Sequence, residues 1–287
     1  MPITSLILDM DGVLWRGGEP LGDLPELFAR LRALGISFVF VTNNATRTVE
    51  DYVERLRRFG VEVEPWQVLN SALAAAEALR QEFPHGAEVY VFGEKGLKQT
   101  LAEAGFRIAN PWDDDQEGKA DASKQILGRG VDAVVVALNR HCNYYSLETA
   151  ALLIRRGALF IATNPDRTFP IPEGKAPGAG ALVAALEAAT DVQARVVGKP
   201  QPFLFQLALR RLGSRPDETL VVGDRLETDI AGGQAANCRT ALVLSGVTTK
   251  EQAMAWEPSP DLIAPDLTAV VNFLERERSW QGTKVVG

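Results

Sequence analysis

The sequence predicts an α/β fold: a parallel-sheet core interrupted by a second, smaller α/β module. Three observations carry this. Short apolar runs rich in Val, Ile and Leu recur along the 287 residues, and helical patterns lie between them. The residues fit for chemistry fall into two blocks, 9–44 and 199–229, separated by a stretch with its own strand–helix alternation. Such runs read as strands buried on both faces, and strand followed by helix, repeated, means crossovers between parallel strands.

In chain order the predicted strands are Leu6–Leu8, Phe38–Val41, Val89–Phe92, Val134–Leu138, Leu159–Ala162, Val196–Val197, Leu220–Val222 and Leu242–Leu244. Helical patterns fall at Leu24–Leu34, Val49–Phe59, Ser71–Phe83, Gly96–Gly105, Leu147–Arg156, Gly180–Thr190, Phe203–Leu212 and Thr228–Asn237. Residues 1–84 and 184–287 are expected to form the core and 85–183 the insertion. The hinge would be crossed twice, near Phe83–Ala87 and Gly180–Leu186.

Composition narrows the function. The chain is 46% hydrophobic and 23% charged, with a formal net charge of −7. It lacks the basic footprint that nonspecific nucleic-acid binding needs. A phosphorylated substrate stays open, because a few local cations and a metal overcome a modest global charge. Two cysteines, Cys142 and Cys238, read as reduced thiols of a cytosolic protein. The opening MPITSLILDMDGVLW is broken by acids and has no basic leader, so no signal peptide is expected. No apolar run has the length of a membrane span. The expected address is the cytoplasm.

The first chemical block is Leu6-Ile7-Leu8-Asp9-Met10-Asp11-Gly12. On extended chain, acids at i and i+2 share one side. Sites in open α/β sheets form at the carboxyl ends of strands, where these acids fall. Two close carboxylates resist ionising together, so a pair can supply one nucleophile and one proton donor. An Asp pair at a turn is the bland alternative. Thr42-Asn43-Asn44 ends a second strand with donors for phosphate oxygens, though the run also suits a helix start. Lys199, between a buried strand and Pro200, can neutralise phosphate and hold nearby aspartates ionised. Asp224 ends a further strand and Asp229 opens the next helix. Carboxylate oxygens suit Mg²⁺. These four strand ends are expected on one edge of one sheet.

In order, Asp9-x-Asp11-Gly12, Thr42, Lys199-Pro200 and Gly223-Asp224-x4-Asp229 resemble the four motifs of the haloacid dehalogenase-like (HAD) superfamily. The runs DMDGVLWRGGEPL, VTNNAT, ATNPDRTFP, PGAGAL, VGKP and VGDRLETDI resemble subfamily IIA, the NagD-like and para-nitrophenylphosphatase-like branch. The resemblance implies a Rossmann-like core with an inserted C2a-type cap. It implies a Mg²⁺-dependent phosphatase of small phosphorylated metabolites, with para-nitrophenyl phosphate as an artificial substrate. Asp9 would be the nucleophile and Asp11 the general acid, then base. Gly12, Thr42, Asn43, Asn44 and Lys199 would hold the phosphate. The metal would sit on Asp9, the Asp11 carbonyl and Asp224, with Asp229 acting through water or behind them. Similar proteins often pair through the cap, so a homodimer is expected, and neither nucleic acid nor membrane is an expected partner.

In the cap, similar proteins often read VVxGxD where this chain reads Val-Ala-Leu-Asn139-Arg140-His141-Cys142. Substrate contacts are expected among Asn164, Asp166 and Arg167 and within 139–145, including Asn139 and His141. His85 and His141 alone do not make a zinc site. Two other readings use similar residues. A phosphomutase or phosphotransferase shares the scaffold; a receiver-like signalling module accepts phosphate on Asp but has about half the length and no insertion.

Overall fold

The computed structural model describes residues 2–110, 120–171 and 173–282. They gather into two compact units, Met1–Thr42 with Val49–Leu69 and Lys199–Gly287, and Asn43–Thr48 with Asn70–Gly198.

The first unit is built on a six-stranded sheet in the order Leu262–Ala264, Arg239–Val243, Thr219–Gly223, Ser5–Leu8, Ser37–Thr42, Val68–Asn70. Ser5–Leu8 lies near the middle, and every residue in it is buried. It pairs in parallel with strands on both sides, Leu8 standing opposite Val222 and Phe40. That central place is why Leu6–Leu8 is apolar at each position instead of alternating. Helix Leu24–Ala33 covers one face: the Asp23 side chain accepts from the Glu26 amide at 3.1 Å and starts it, and Leu24, Leu27, Phe28 and Leu31 are its buried stripe. Phe28 meets Phe38 and Phe40 with ring centroids 4.9 and 5.4 Å apart. Each such ring removes about 1.5–3 kcal/mol worth of apolar surface from water.

The second unit repeats the scheme with a five-stranded parallel sheet, in the order Arg195–Val196, Leu159–Ala162, Ala133–Val136, Glu88–Phe92, Arg107–Ile108. Tyr90, Phe92, Val134, Val136, Phe160, Leu153 and Leu186 form its core. Helices Lys95–Glu103, Tyr144–Arg155 and Ala179–Thr190 belong to it.

One expectation fails on sheet membership. The run ending at Val197 was expected to deliver Lys199 from a strand of the catalytic sheet. Arg195–Val196 instead pairs with Leu159–Ala162 in the second sheet. Spacing along the chain cannot show which sheet supplies a strand's hydrogen-bond partners. The unit carrying that sheet is also wider than 85–183, since it takes in Arg195–Val196 and helix Ser71–Glu82, which packs on Lys95–Glu103. Strands Val68–Asn70 and Leu262–Ala264, the hairpins Trp15–Arg16/Glu19–Pro20 and Thr168–Ile171/Gly174–Pro177, and helix Leu267–Gly282 add to the predicted set. Among the described residues no helix is long and apolar enough to cross a membrane.

Candidate active site

Three neighbouring strands of the first sheet deliver the first residues. Asp9 follows Ser5–Leu8, and its amide donates to the Val222 carbonyl at 2.9 Å, locking it to the adjacent strand. Thr42 ends the strand on one side and Asp224 follows the strand on the other. Both are buried. Parallel strands all present their carboxyl ends to the same edge, so adjacency in the sheet brings these residues together.

Lys199 reaches the site by another route. It lies in the turn before helix Pro202–Leu212, which packs against Ser37–Thr42 and Ser5–Leu8. It is 4% exposed. Its Nζ donates to Asp9 Oδ1 at 2.5 Å and to Asp229 Oδ1 at 2.6 Å. Burial alone would lower the ammonium's pKa, yet Asp229 and then Asp9 hold it protonated well above the usual lysine range. The carboxylates remain in excess. Burial is the main reason Asp9 is pushed well above the usual carboxylate range; Lys199 opposes the rise, and Asp229 and Asp224 add to it. Burial, then Asp229, moves Asp224 up to about 6, against the pull of the Val247 amide.

Asp229 was expected to open a helix. It lies instead inside a widened turn, Leu226–Ile230, in which the Ile230 amide reaches back five residues to the Arg225 carbonyl at 3.2 Å. Its Oδ2 accepts from the Arg225 amide at 3.1 Å, which leaves Oδ1 to Lys199. A Cβ on Gly223 would stand 2.1 Å from the Asp229 Cβ, so this approach demands glycine.

Asp9, Asp224 and Asp229 each offer an oxygen within 4.8 Å of the others. Asp224 Oδ2 accepts from the Val247 amide at 2.9 Å, while its buried Oδ1 has no hydrogen-bond partner among the described residues. A buried, partnerless carboxylate oxygen is costly unless a cation takes it. Three hard oxygen donors and an orphaned lone pair therefore fit a divalent ion such as Mg²⁺.

Asp11 is exposed, and the Trp15 indole donates to its Oδ1 at 2.8 Å. Trp15 is itself buried, with the Arg55 guanidinium 4.1 Å from its ring centre. Gly12, expected among the residues that hold the phosphate, donates its amide to the Trp15 carbonyl at 2.8 Å. At φ +85°, a Cβ here would meet Asp224 Oδ2 at 2.5 Å, so its work is close approach.

The remaining candidates lie in the second unit. Asn43 Nδ2 donates to Asp166 Oδ2 at 3.2 Å, Asn164 Nδ2 donates to the Asn43 carbonyl at 2.9 Å, and Asn164 Oδ1 accepts from the Asp166 amide at 3.1 Å. Asn43, Asn164 and Asp166 thus knit loops to one another, where phosphate and substrate contacts had been expected. Asn44 Oδ1 accepts from the Thr46 amide at 2.9 Å and closes its own turn. Arg167 is exposed. Asn139 is buried, and its Oδ1 accepts from the amide of exposed His141 at 3.0 Å. Between them, Arg140 grips Glu94 through two bonds of 2.8 Å.

A family model described as haloacid dehalogenase-like hydrolase matches residues 6–107, and a HAD-hydrolase-like model matches 196–270. A chicken (Gallus gallus) glycerol-3-phosphate phosphatase is 39% identical over 90% of this chain and 84% of its own length. The chain belongs to the haloacid dehalogenase-like hydrolase family. Among solved structures, a p-nitrophenyl phosphatase from Archaeoglobus fulgidus superposes with a TM-score of 0.84 at 33% identity, covering 95% of this chain and 100% of that one. NagD from E. coli K-12 gives 0.79 at 33%, covering 93% and 98%. A glycerol phosphate phosphatase from Mycobacterium tuberculosis, solved with magnesium, gives 0.80 at 35%, covering 93% and 76%. The fold is that of a NagD-like HAD phosphatase.

Sequence reasoning missed four residues of this HAD site: Trp15, Ser245, Val247 and Thr248. A usable signal was present for the last three. Ser245-Gly246-Val247-Thr248 is a polar, glycine-bearing turn soon after the buried run Leu242–Leu244, the pattern that marked Asp9 and Asp224. For Trp15 no sequence signal distinguishes an indole that bonds Asp11 from one that fills the core.

Proposed function

We propose that this HAD phosphatase is Mg²⁺-dependent and hydrolyses small phosphomonoesters through an aspartyl-phosphate on Asp9. The observation that carries the reading is Lys199 bridging Asp9 and Asp229 beside buried Asp224. One ammonium against three carboxylates is a cluster still short of positive charge, as an anion-transfer site needs before a metal and a phosphate enter.

In the first step, a bond forms between an Asp9 oxygen and phosphorus while the bond to the leaving alcohol breaks. Asp11 delivers its proton to the departing oxygen. In the second, water attacks the same phosphorus, Asp11 takes the water's proton, and Asp9 is released with inorganic phosphate. Covalent catalysis divides one difficult hydrolysis into two steps, and acid–base help of this kind is worth about 10²–10⁴ in rate. Lys199 keeps Asp9 oriented and screens its approach to the dianion. Held by Asp9, the Asp11 carbonyl, Asp224 and, behind them, Asp229, Mg²⁺ would neutralise phosphate oxygens. The second unit, inserted in sequence between Thr42 and Lys199, acts as the cap and selects the leaving group. Glycerol phosphate and p-nitrophenyl phosphate, named for the relatives, are the first substrates to try.

Phosphate release across a panel of phosphorylated metabolites, with and without Mg²⁺, tests this. The expected result is Mg²⁺-dependent turnover that Asp9→Asn abolishes. Undiminished activity in purified Asp9→Asn would end the proposal.

A further inference from the structure

We propose that the turn Ser245–Thr248 is a positioning element of the cation site, clamping the Asp224 carboxylate against the Asp11–Gly12 turn so that Asp224 Oδ1 is held for the metal. This rests on the reading above, in which Asp9, the Asp11 carbonyl and Asp224 hold the cation with Asp229 behind them.

Four contacts build the clamp. The Val247 amide holds Asp224 Oδ2 at 2.9 Å. Thr248 Oγ1 donates to the Asp224 carbonyl at 2.6 Å. Ser245 Oγ donates to the Gly12 carbonyl at 2.7 Å, and the Arg16 guanidinium donates to the Ser245 carbonyl. Together they tie the carboxyl ends of three adjacent strands, Arg239–Val243, Thr219–Gly223 and Ser5–Leu8, to one another.

The asymmetry within Asp224 gives the clamp a purpose. One oxygen is fixed by a backbone donor, which no rotamer change can withdraw; the other is buried with no partner among the described residues. A carboxylate placed only to stabilise a turn would be expected to satisfy both oxygens. Two glycines close the cradle. A Cβ on Gly246 would fall 1.9 Å from Asp224 Oδ2, and one on Gly12 would fall 2.5 Å from it. Val247 itself exposes 55% of its surface, so its place in the turn serves the backbone amide and not the burial of its own side chain. Groups that orient a metal ligand without touching the ion typically govern affinity by about 10–100-fold.

The test is Mg²⁺ binding by calorimetric titration, together with the Mg²⁺-induced rise in Tm, for Ser245→Ala, Thr248→Val and Thr248→Ser. The metal-free variants are expected to melt within about 2–4 °C of the unaltered protein. Ser245→Ala and Thr248→Val should raise the Kd for Mg²⁺ about 10–100-fold, and Thr248→Ser, which keeps the hydroxyl, should restore it. Ser245 is only partly buried, so Ser245→Ala keeps the test open if Thr248→Val does not fold. An unchanged Kd in Ser245→Ala, or in a folded Thr248→Val, overturns this inference alone. Absence of any Mg²⁺ response in the unaltered protein overturns the cation-site reading and this inference with it.

Discussion

At the scale of the residue, Lys199 sets the balance of the site. It touches two of three clustered carboxylates, and its ammonium stays charged far above neutral pH. The stability it contributes is therefore fully present at physiological pH and is lost only as pH rises through its own raised pKa. Lys199→Met leaves buried carboxylates without their counter-ion, a change that costs about 3–5 kcal/mol in comparable buried pairs. Thermal melts of the metal-free variant should show that deficit near neutral pH and a smaller one in mild acid, where the carboxyls protonate. Asp224 shifts in the same direction, but in an accessible pH range. Its pKa is raised from 3.8 to about 6, so the folded, metal-free protein binds protons more tightly than the unfolded chain. Its contribution to metal-free stability therefore falls as pH rises between those values. The Mg²⁺-induced rise in Tm should be large above pH ~7 and shrink steeply below pH ~5, where protons compete for the same oxygen.

At the scale of the element, the hairpin Trp15–Arg16/Glu19–Pro20 brings an indole N–H onto Asp11. Trp15→Phe keeps most of the ring and removes that donor. Its effect on kcat/KM should exceed about tenfold for an alkyl phosphate, whose leaving oxygen needs a proton from Asp11. It should be small for p-nitrophenyl phosphate, whose leaving group departs as an anion. Equal losses on both substrates would mean that Trp15 acts only on the fold. Strands were the elements most legible in the sequence. Leu6–Leu8, Leu159–Ala162 and Leu220–Val222 sit inside or coincide with observed strands because buried parallel strands are apolar at every position. Edge strands such as Val68–Asn70 and Leu262–Ala264 escaped.

At the scale of the whole molecule, the clustered carboxylates and the loops proposed to select the substrate fall to different parts of the chain. The reactive carboxylates and Lys199 all belong to the first unit. In the second, buried Glu94 holds exposed Arg140 by its backbone amide and its guanidinium, which fixes the loop after Ala133–Val136. Arg140→Ala removes the two guanidinium bonds and leaves only the backbone amide's, which loosens that loop. Steady-state kinetics should then show altered kcat/KM ratios among glycerol phosphate, phosphoglycolate and sugar phosphates, with the Kd for Mg²⁺ unchanged; unaltered ratios would remove the loop from substrate choice.

Strand ends bearing Asp9, Thr42 and Asp224, and the order of the acids along the chain, were determined by the sequence alone, because burial and charge leave their mark on local residue choice. Only the tertiary structure decided that Lys199 comes from a loop, that Val196 serves the other sheet, that Asn43 bonds Asp166, and that Ser245–Thr248 grips Asp224. Each of those facts is a pairing between groups far apart in the chain. Hydrogen bonds of that kind depend on where two segments meet in space, and a polar side chain reads the same in sequence whichever partner it finds.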